Sequence, residues 1–300
     1  MDNSKSDRFN PLVVAIATNT YYPNWYRGKL RSIKHTDKIR GDLAFEFFKK
    51  TLKNGYRIVV SDALSSRSFR HDLKNLKGLN IVFKRSAKRS PNKRYSIKTA
   101  SKLAGVMAII TTEPEKLSLL DNIPQIVNPI LNDGIGIVVP KRNEELFKAT
   151  YPDYMYQSEI EANELYSELL KSFGLTAENQ EFDMFFGPRV IKNNKKVISL
   201  FMKKFIFKNS YPLLKYFDPE DFSNVLFFPI IEALKKGLKV KSVEIPFSYP
   251  PLQKKNEESG ERELFLEKRK SQRLGLLIEL IHFLSYLEKN PASRIKFVSK

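Results

Sequence analysis

Pro11-Leu12-Val13-Val14-Ala15-Ile16-Ala17-Thr18, followed at once by Asn19-Thr20-Tyr21, is the stretch that decides the fold of this chain. A near-continuous apolar run of that length predicts a strand buried on both faces, as in a parallel sheet covered by helices. Outward from it, the pattern alternates between two periods. Ile39, Leu43, Phe47 and Leu52 recur at roughly helical spacing until Gly55. Strands then follow at 56–61 and 79–83, separated by a helix over 66–77 that Gly78 closes. Ser90-Pro91, a capping residue before a first-turn proline, opens a helix over 90–104. Further strands are predicted at 106–110 and 136–140, with a segment broken by Pro124 and Pro129 between them. Strand-helix alternation of this kind predicts right-handed crossovers, a mostly parallel Rossmann-like sheet and helices on both faces.

The second half reads as mainly helical. An acidic amphipathic helix spans 153–172, an aromatic loop or short strand covers 182–189, and a helix starts near Pro219 and ends near Gly237. A strand at 238–247 leads through Tyr249-Pro250-Pro251 into a polar loop reaching Gly260. The last helix runs from about 261 to 287, with Leu264, Leu274, Leu277, Ile278 and Ile281 as its expected core stripe. The expected division is a tail at 1–10, a first half over 11–142 and a second over 143–300.

The chain has 300 residues, 42% of them hydrophobic and 12% aromatic, which excludes wholesale disorder. It has no cysteine, so there is no disulfide, thiolate metal site or cysteine nucleophile, and a cytoplasmic, reducing location is expected. Three histidines, His35, His71 and His282, make a multi-histidine metal site a poor expectation. The net charge of +19 biases the surface towards polyanions or phosphorylated small molecules, although Lys-rich usage accounts for it equally well. No zinc-finger spacing or RNA-binding motif accompanies it, so nucleic acid is not the expected partner. No apolar run is long enough to span a bilayer, and 12–17 has no convincing cleavage site after it.

Ligands of open parallel sheets bind at the carboxyl ends of the strands. Those ends carry Asn19-Thr20-Tyr21, Asp62, Lys84-Arg85, and Glu113-Pro114-Glu115. Glu113 and Glu115, two residues apart in extended backbone, project to the same side and can share one hard cation. Each residue also has a plainer reading: Asp62 as a turn residue, the two glutamates as acids favoured at a helix start, Arg94 on a solvated helix face. The turn after the first strand lacks a dinucleotide-binding glycine pattern, and neither a Walker phosphate loop nor a Gly-x-Ser-x-Gly elbow is present.

On these residues the sequence resembles the GT-A-fold, family-two-like nucleotide-sugar glycosyltransferases. The run from Tyr56 to Ser66 resembles that family's second-strand motif, whose Asp, here Asp62, contacts the nucleotide. Lys84-Arg85 through Asn92-Lys93-Arg94 is similar to its loop and helix after strand three, and Thr112-Glu113-Pro114-Glu115-Lys116 occupies the place of its Asp-x-Asp motif. Val139-Pro140-Lys141-Arg142, Phe186-Gly187-Pro188-Arg189, and Tyr249-Pro250 with Gln253, Glu258, Lys268 and Arg269 look like acceptor-side motifs.

The resemblance implies transfer of a hexose from a GDP- or UDP-sugar to a small acceptor, anionic by the net charge and the late arginines. It implies Mg²⁺ or Mn²⁺ on Glu113 and Glu115, with Tyr249-Pro250 where metal-dependent relatives place a third ligand. Thr18, Asn19, Asp62, Arg85 and Arg94 would then hold the donor, and Arg142, Arg189, Lys254 and Glu258 the acceptor. Asp183 is the candidate base. Two alternatives stay open: a nucleotidyltransferase on a similar sheet, and a non-catalytic domain that binds polyanions through its basic face.

Overall fold

The computed structural model describes residues 9–84, 89–204, 224–259 and 262–289. The opening run turns through a 3₁₀ segment, Pro11–Val13, into β1 (Val14–Thr20), after which come α1 (Thr36–Lys53), β2 (Arg57–Ala63), α2 (Arg67–Asn75) and β3 (Leu79–Lys84). Then follow α3 (Arg89–Ala100), β4 (Ala108–Thr111), α4 (Ile123–Asn132), β5 (Ile137–Arg142), α5 (Glu144–Thr150) and α6 (Asp153–Ser172). The second half adds β6 (Arg189–Lys192), α7 (Lys195–Met202), α8 (Phe228–Lys235), β7 (Val240–Ile245), α9 (Pro251–Ser259) and α10 (Arg262–Lys289).

The strands form one seven-stranded sheet in the order β3-β2-β1-β4-β6-β5-β7. All neighbours pair in parallel except β6, which runs antiparallel to both β4 and β5. The fold is therefore α/β with a mostly parallel mixed sheet. Period-two alternation divides the core into two layers. Ala15, Ala17, Ile109, Ile137, Val139 and Ile191 join a cluster with α3, α6, α7, α8 and α10. Val14, Ile16, Ile110, Val138 and Val190 join another with α1, α2, α4 and α5.

Several elements differ from the sequence expectation. Of the loop or short strand expected over 182–189 the structure has the loop, and β6 begins only at Arg189. The polar loop after Pro251 is the helix α9, whose buried face is Gln253, Asn256 and Glu257. Asn143 and Asn194 cap α5 and α7 by accepting the Leu146 and Val197 amides, and neither helix was anticipated. On α10 the buried stripe is Leu280, Phe283, Leu284 and Leu287, while Leu274 and Ile281 face solvent. The expected helix start at 219–221, Arg85 and the side chains of Leu264 and Lys268 lie outside the described residues. No described helix is long and apolar enough to cross a membrane.

The segment between β1 and α1 is pinned by Trp25, whose indole packs against Phe45 and Phe69 and donates to Asp42 at 2.9 Å. A Cβ on Gly41 of α1 would stand 2.3 Å from Trp25 Cδ1. Alanine normally gains about 1 kcal/mol over glycine inside a helix. Here the overpacking term, about 1–3 kcal/mol, opposes it. Gly41→Ala is expected to lower stability in urea unfolding followed by Trp25 fluorescence. Unchanged or raised stability would show that the indole can move aside freely.

Candidate functional site

β1 is the point where the chain switches direction across the sheet, with β2 on one side and β4 on the other. Parallel sheets leave a crevice at such a point, outside the carboxyl ends of the strands. A cleft of about 420 Å³ opens there. Asn19, Tyr22, Ala63, Glu113, Glu115 and Lys116 line it from the ends of β1, β2 and β4, Asn92 and Lys93 from the first turns of α3, and Gln253, Glu257, Arg269 and Arg273 from α9 and α10. Its described lining holds six cationic side chains and four carboxylates.

Glu113 stands between two ammonium groups. Its Oε1 accepts from Lys93 Nζ at 2.9 Å, and its Oε2 lies 3.8 Å from Lys116 Nζ. Burial pushes this carboxyl up, but the two lysines outweigh it and hold the group well below the usual carboxylate range. Burial depresses the Lys116 ammonium, which Glu113 partly restores. Glu115 is deeper. Its Oε1 accepts from Tyr22 Oη at 2.9 Å and from Arg40 Nε at 2.7 Å. The second oxygen of each glutamate is buried without a hydrogen-bond partner.

Room for Glu113 is made from the opposite side of the cleft by Gly187, at φ 95°. A Cβ there would come within 3.0 Å of Glu113 Oε2. Leu64, just after β2, takes φ 63°, a left-handed conformation that costs a branched side chain energy.

The far wall is organised by Arg142, 3% exposed at the end of β5. It donates from Nε and Nη2 to both oxygens of Asp183 and from Nη1 to Glu159 Oε2, all at 2.7 Å. Glu159 also accepts from Arg269 Nη1 at 3.1 Å, which ties α10 to α6. Burial raises the Asp183 carboxyl, but Arg142 and Asn163 outweigh it and hold it below its ordinary value.

Of the expected residues that are described, the structure brings Asn19, Glu113, Glu115, Arg142, Tyr249, Pro250, Gln253 and Arg269 to the cleft, and places Thr18, Asp62, Arg94, Asp183, Arg189, Lys254 and Glu258 elsewhere. Asp62 is fully buried, accepting from Thr20 Oγ1 at 2.9 Å and Arg70 Nε at 2.6 Å, so it fastens β1 to α2. Thr18 is buried inside β1, and Arg94 reaches the Lys203 carbonyl rather than the cleft. Arg189 is fully buried and donates to the carbonyls of Met184, Pro188 and Leu226, with burial drawing its guanidinium down to about 10. Asp183 is the counter-ion of Arg142 behind the wall. Lys254 and Glu258 point off the cleft side of α9, while their neighbours Gln253 and Glu257 face it, with Glu257 accepting from Tyr249 Oη at 2.8 Å.

A divalent cation held by the Glu113/Glu115 pair does not fit this arrangement. One oxygen of each carboxylate is already occupied by a cationic group. No group of three His, Cys, Asp or Glu side chains that could hold a metal occurs among the described residues.

No family model matches the sequence, and no curated protein matches it. Among solved structures the chain is similar to a protein from Desulfovibrio desulfuricans G20 proposed to be a nucleotide-diphospho-sugar transferase, at 8% identity and TM-score 0.43 over 90% of this chain and 98% of that one. It is similar to glucosyl-3-phosphoglycerate synthase from Mycobacterium tuberculosis, solved with Mg²⁺ and uridine diphosphate, at 11% identity and TM-score 0.44 over 79% and 71%. It is similar to S. aureus TarS 1–349 at 9% identity and TM-score 0.42 over 94% and 75%.

Removing one partner of a buried ion cluster leaves uncompensated charge, so Arg142→Met is expected to cost about 3–5 kcal/mol in urea unfolding. The pH dependence supplies a second readout. In the wild type the Asp183 carboxyl is depressed, so its contribution is present at neutral pH and is lost as pH falls below about 4. Without Arg142, burial raises that carboxyl instead, and lowering the pH from about 7 to about 5 should stabilise the variant. A parallel loss of stability in both proteins would show that Asp183 does not depend on Arg142.

Proposed function

We propose that the cleft binds a nucleotide-diphosphate sugar, GDP- or UDP-linked, and transfers its hexose to a small anionic acceptor. Residues 11–142 would supply the donor side and residues from 143 onward the acceptor side. The observation that carries this reading is the pairing of unpartnered carboxylate oxygens with cations in one space. Glu113 Oε2 and Glu115 Oε2 can accept from sugar hydroxyls, and Lys93, Lys116 and Arg40 beside them carry one positive charge more than the two glutamates match, which an anion would take up. A sugar diphosphate has both ends.

In the transfer, the bond from the anomeric carbon to the diphosphate oxygen breaks and its electron pair goes to the diphosphate. The acceptor hydroxyl oxygen bonds to the anomeric carbon and its proton is lost to water. Positive charge grows at the anomeric carbon and negative charge at the leaving oxygen, so fixed carboxylates near one and fixed cations near the other stabilise the transition state more than the ground state. An anionic acceptor would meet Arg269 and Arg273 on α10, because every guanidinium nitrogen of Arg142 already donates within the wall.

Incubation with a panel of nucleotide sugars tests the reading. Release of nucleoside diphosphate dependent on an anionic acceptor supports it. Pyrophosphate release from a nucleoside triphosphate would replace it with nucleotidyl transfer. Glu115→Gln keeps the shape of the side chain that Tyr22 and Arg40 contact, and is expected to lower turnover by about 10²–10³-fold with an unchanged near-ultraviolet dichroism spectrum. Near-normal turnover would remove Glu115 from the chemistry.

A further inference from the structure

The two lysines around Glu113 are not explained by the fold. Lys93 has a side chain only 6% exposed, Lys116 one 17% exposed, and both ammonium groups converge on a single carboxylate. Burying a lysine costs several kcal/mol unless its charge is matched, and one carboxylate matches one ammonium. Glu113 therefore leaves one positive charge over at the β4 side of the cleft. Lys116 also lies 5.1 Å above the Phe186 ring, which holds the ammonium in place without neutralising it. Lys93 and Asn92 reach the cleft from the first turns of α3, so the positive end of that helix adds to the same field.

We propose that Lys93 and Lys116 neutralise the diphosphate of the donor directly, in the role a divalent cation would otherwise fill. The inference rests on the donor reading given above. Three features set it up: an ammonium on each side of Glu113, an occupied oxygen on each glutamate, and no group of three acidic, imidazole or thiol side chains among the described residues placed to hold a metal. When the anion enters, the ammonium groups bridge Glu113 and the phosphate oxygens, so Glu113 orients them rather than binding a metal. The unpartnered Glu113 Oε2 and Glu115 Oε2 are left for hydroxyl donors.

The test uses the full chain, freed of metals by dialysis against EDTA, titrated calorimetrically with UDP, GDP, ADP and CDP in turn. The tightest of these is then titrated in EDTA and in excess MnCl₂, and the dissociation constants are expected to agree within about threefold. In EDTA, Lys93→Met and Lys116→Met should each weaken binding by about tenfold to hundredfold, the scale for losing a hydrogen bond to a charged group. Lys93→Met/Glu113→Gln provides the same comparison without stranding the carboxylate, should the single variant fail to fold. Binding that needs MnCl₂, or that tightens by tenfold or more in it, would overturn the inference while leaving the donor reading intact. Wild-type affinity in the lysine variants would overturn it as well. An absence of binding by all four nucleotides in both buffers would refute the donor reading itself, and the inference with it.

Discussion

A guanidinium with almost no contact with water holds the far wall of the cleft together. Arg142 ends β5, Asp183 precedes β6, Glu159 lies on α6 and Arg269 on α10, and all four side chains form one chain of ion pairs. Burying such charges costs several kcal/mol each and is recovered only with near-ideal geometry. Arg142 has that geometry: a two-pronged contact with Asp183, a third bond to Glu159, and its guanidinium over the Phe147 ring at 3.6 Å. Such a cluster tolerates little displacement. It fixes α6 and α10 against the end of the sheet and so sets where Arg269 and Arg273 stand at the cleft.

The side of the cleft at the ends of β1, β2 and β4 runs on the opposite logic. There the charges are paired but not satisfied, since each glutamate keeps one buried oxygen without a partner and the cations outnumber the carboxylates. A fully satisfied network rigidifies; a half-satisfied one is costly unless a ligand completes it. The chain's +19 charge is thus not only a surface property, because part of the excess is concentrated where the parallel strands end.

How much of this was legible depended on range in sequence. The β1 to β5 alternation follows from local periodicity, and Glu113 and Glu115 follow from being polar, adjacent and at a strand end. Asp62 looked the same from the sequence, but Arg70, one turn into α2, claims it. Nothing local separates a carboxylate that faces a cleft from one that fastens a turn. Arg142 and Arg189 were similarly indistinguishable, since their partners lie on other elements. On α9 the error was one of phase. A helix read as a loop gives no face, so Lys254 and Glu258 were named beside Gln253, and Glu257, which shares the buried face with Gln253, was missed. The Asn143 and Asn194 caps were readable signals for α5 and α7 that periodicity alone did not use.

The antiparallel strand links the two sides of the cleft. A parallel strand inserted between β4 and β5 would bring its following loop to the cleft end of the sheet. Because β6 runs the other way, the loop that precedes it, with Phe185, Phe186 and Gly187, arrives there instead. That loop begins at Asp183, held by Arg142, and it ends at Arg189, whose three carbonyl bonds lock its exit. Between these two anchors Gly187, at a positive φ that disfavours a side chain, stands so close to Glu113 that a Cβ would come within 3.0 Å of its Oε2. The position of Glu113 is therefore limited by the same buried arginine clusters that build the far wall of the cleft. Any change that loosens Arg142 or Arg189 should be felt at Glu113, although neither arginine touches it.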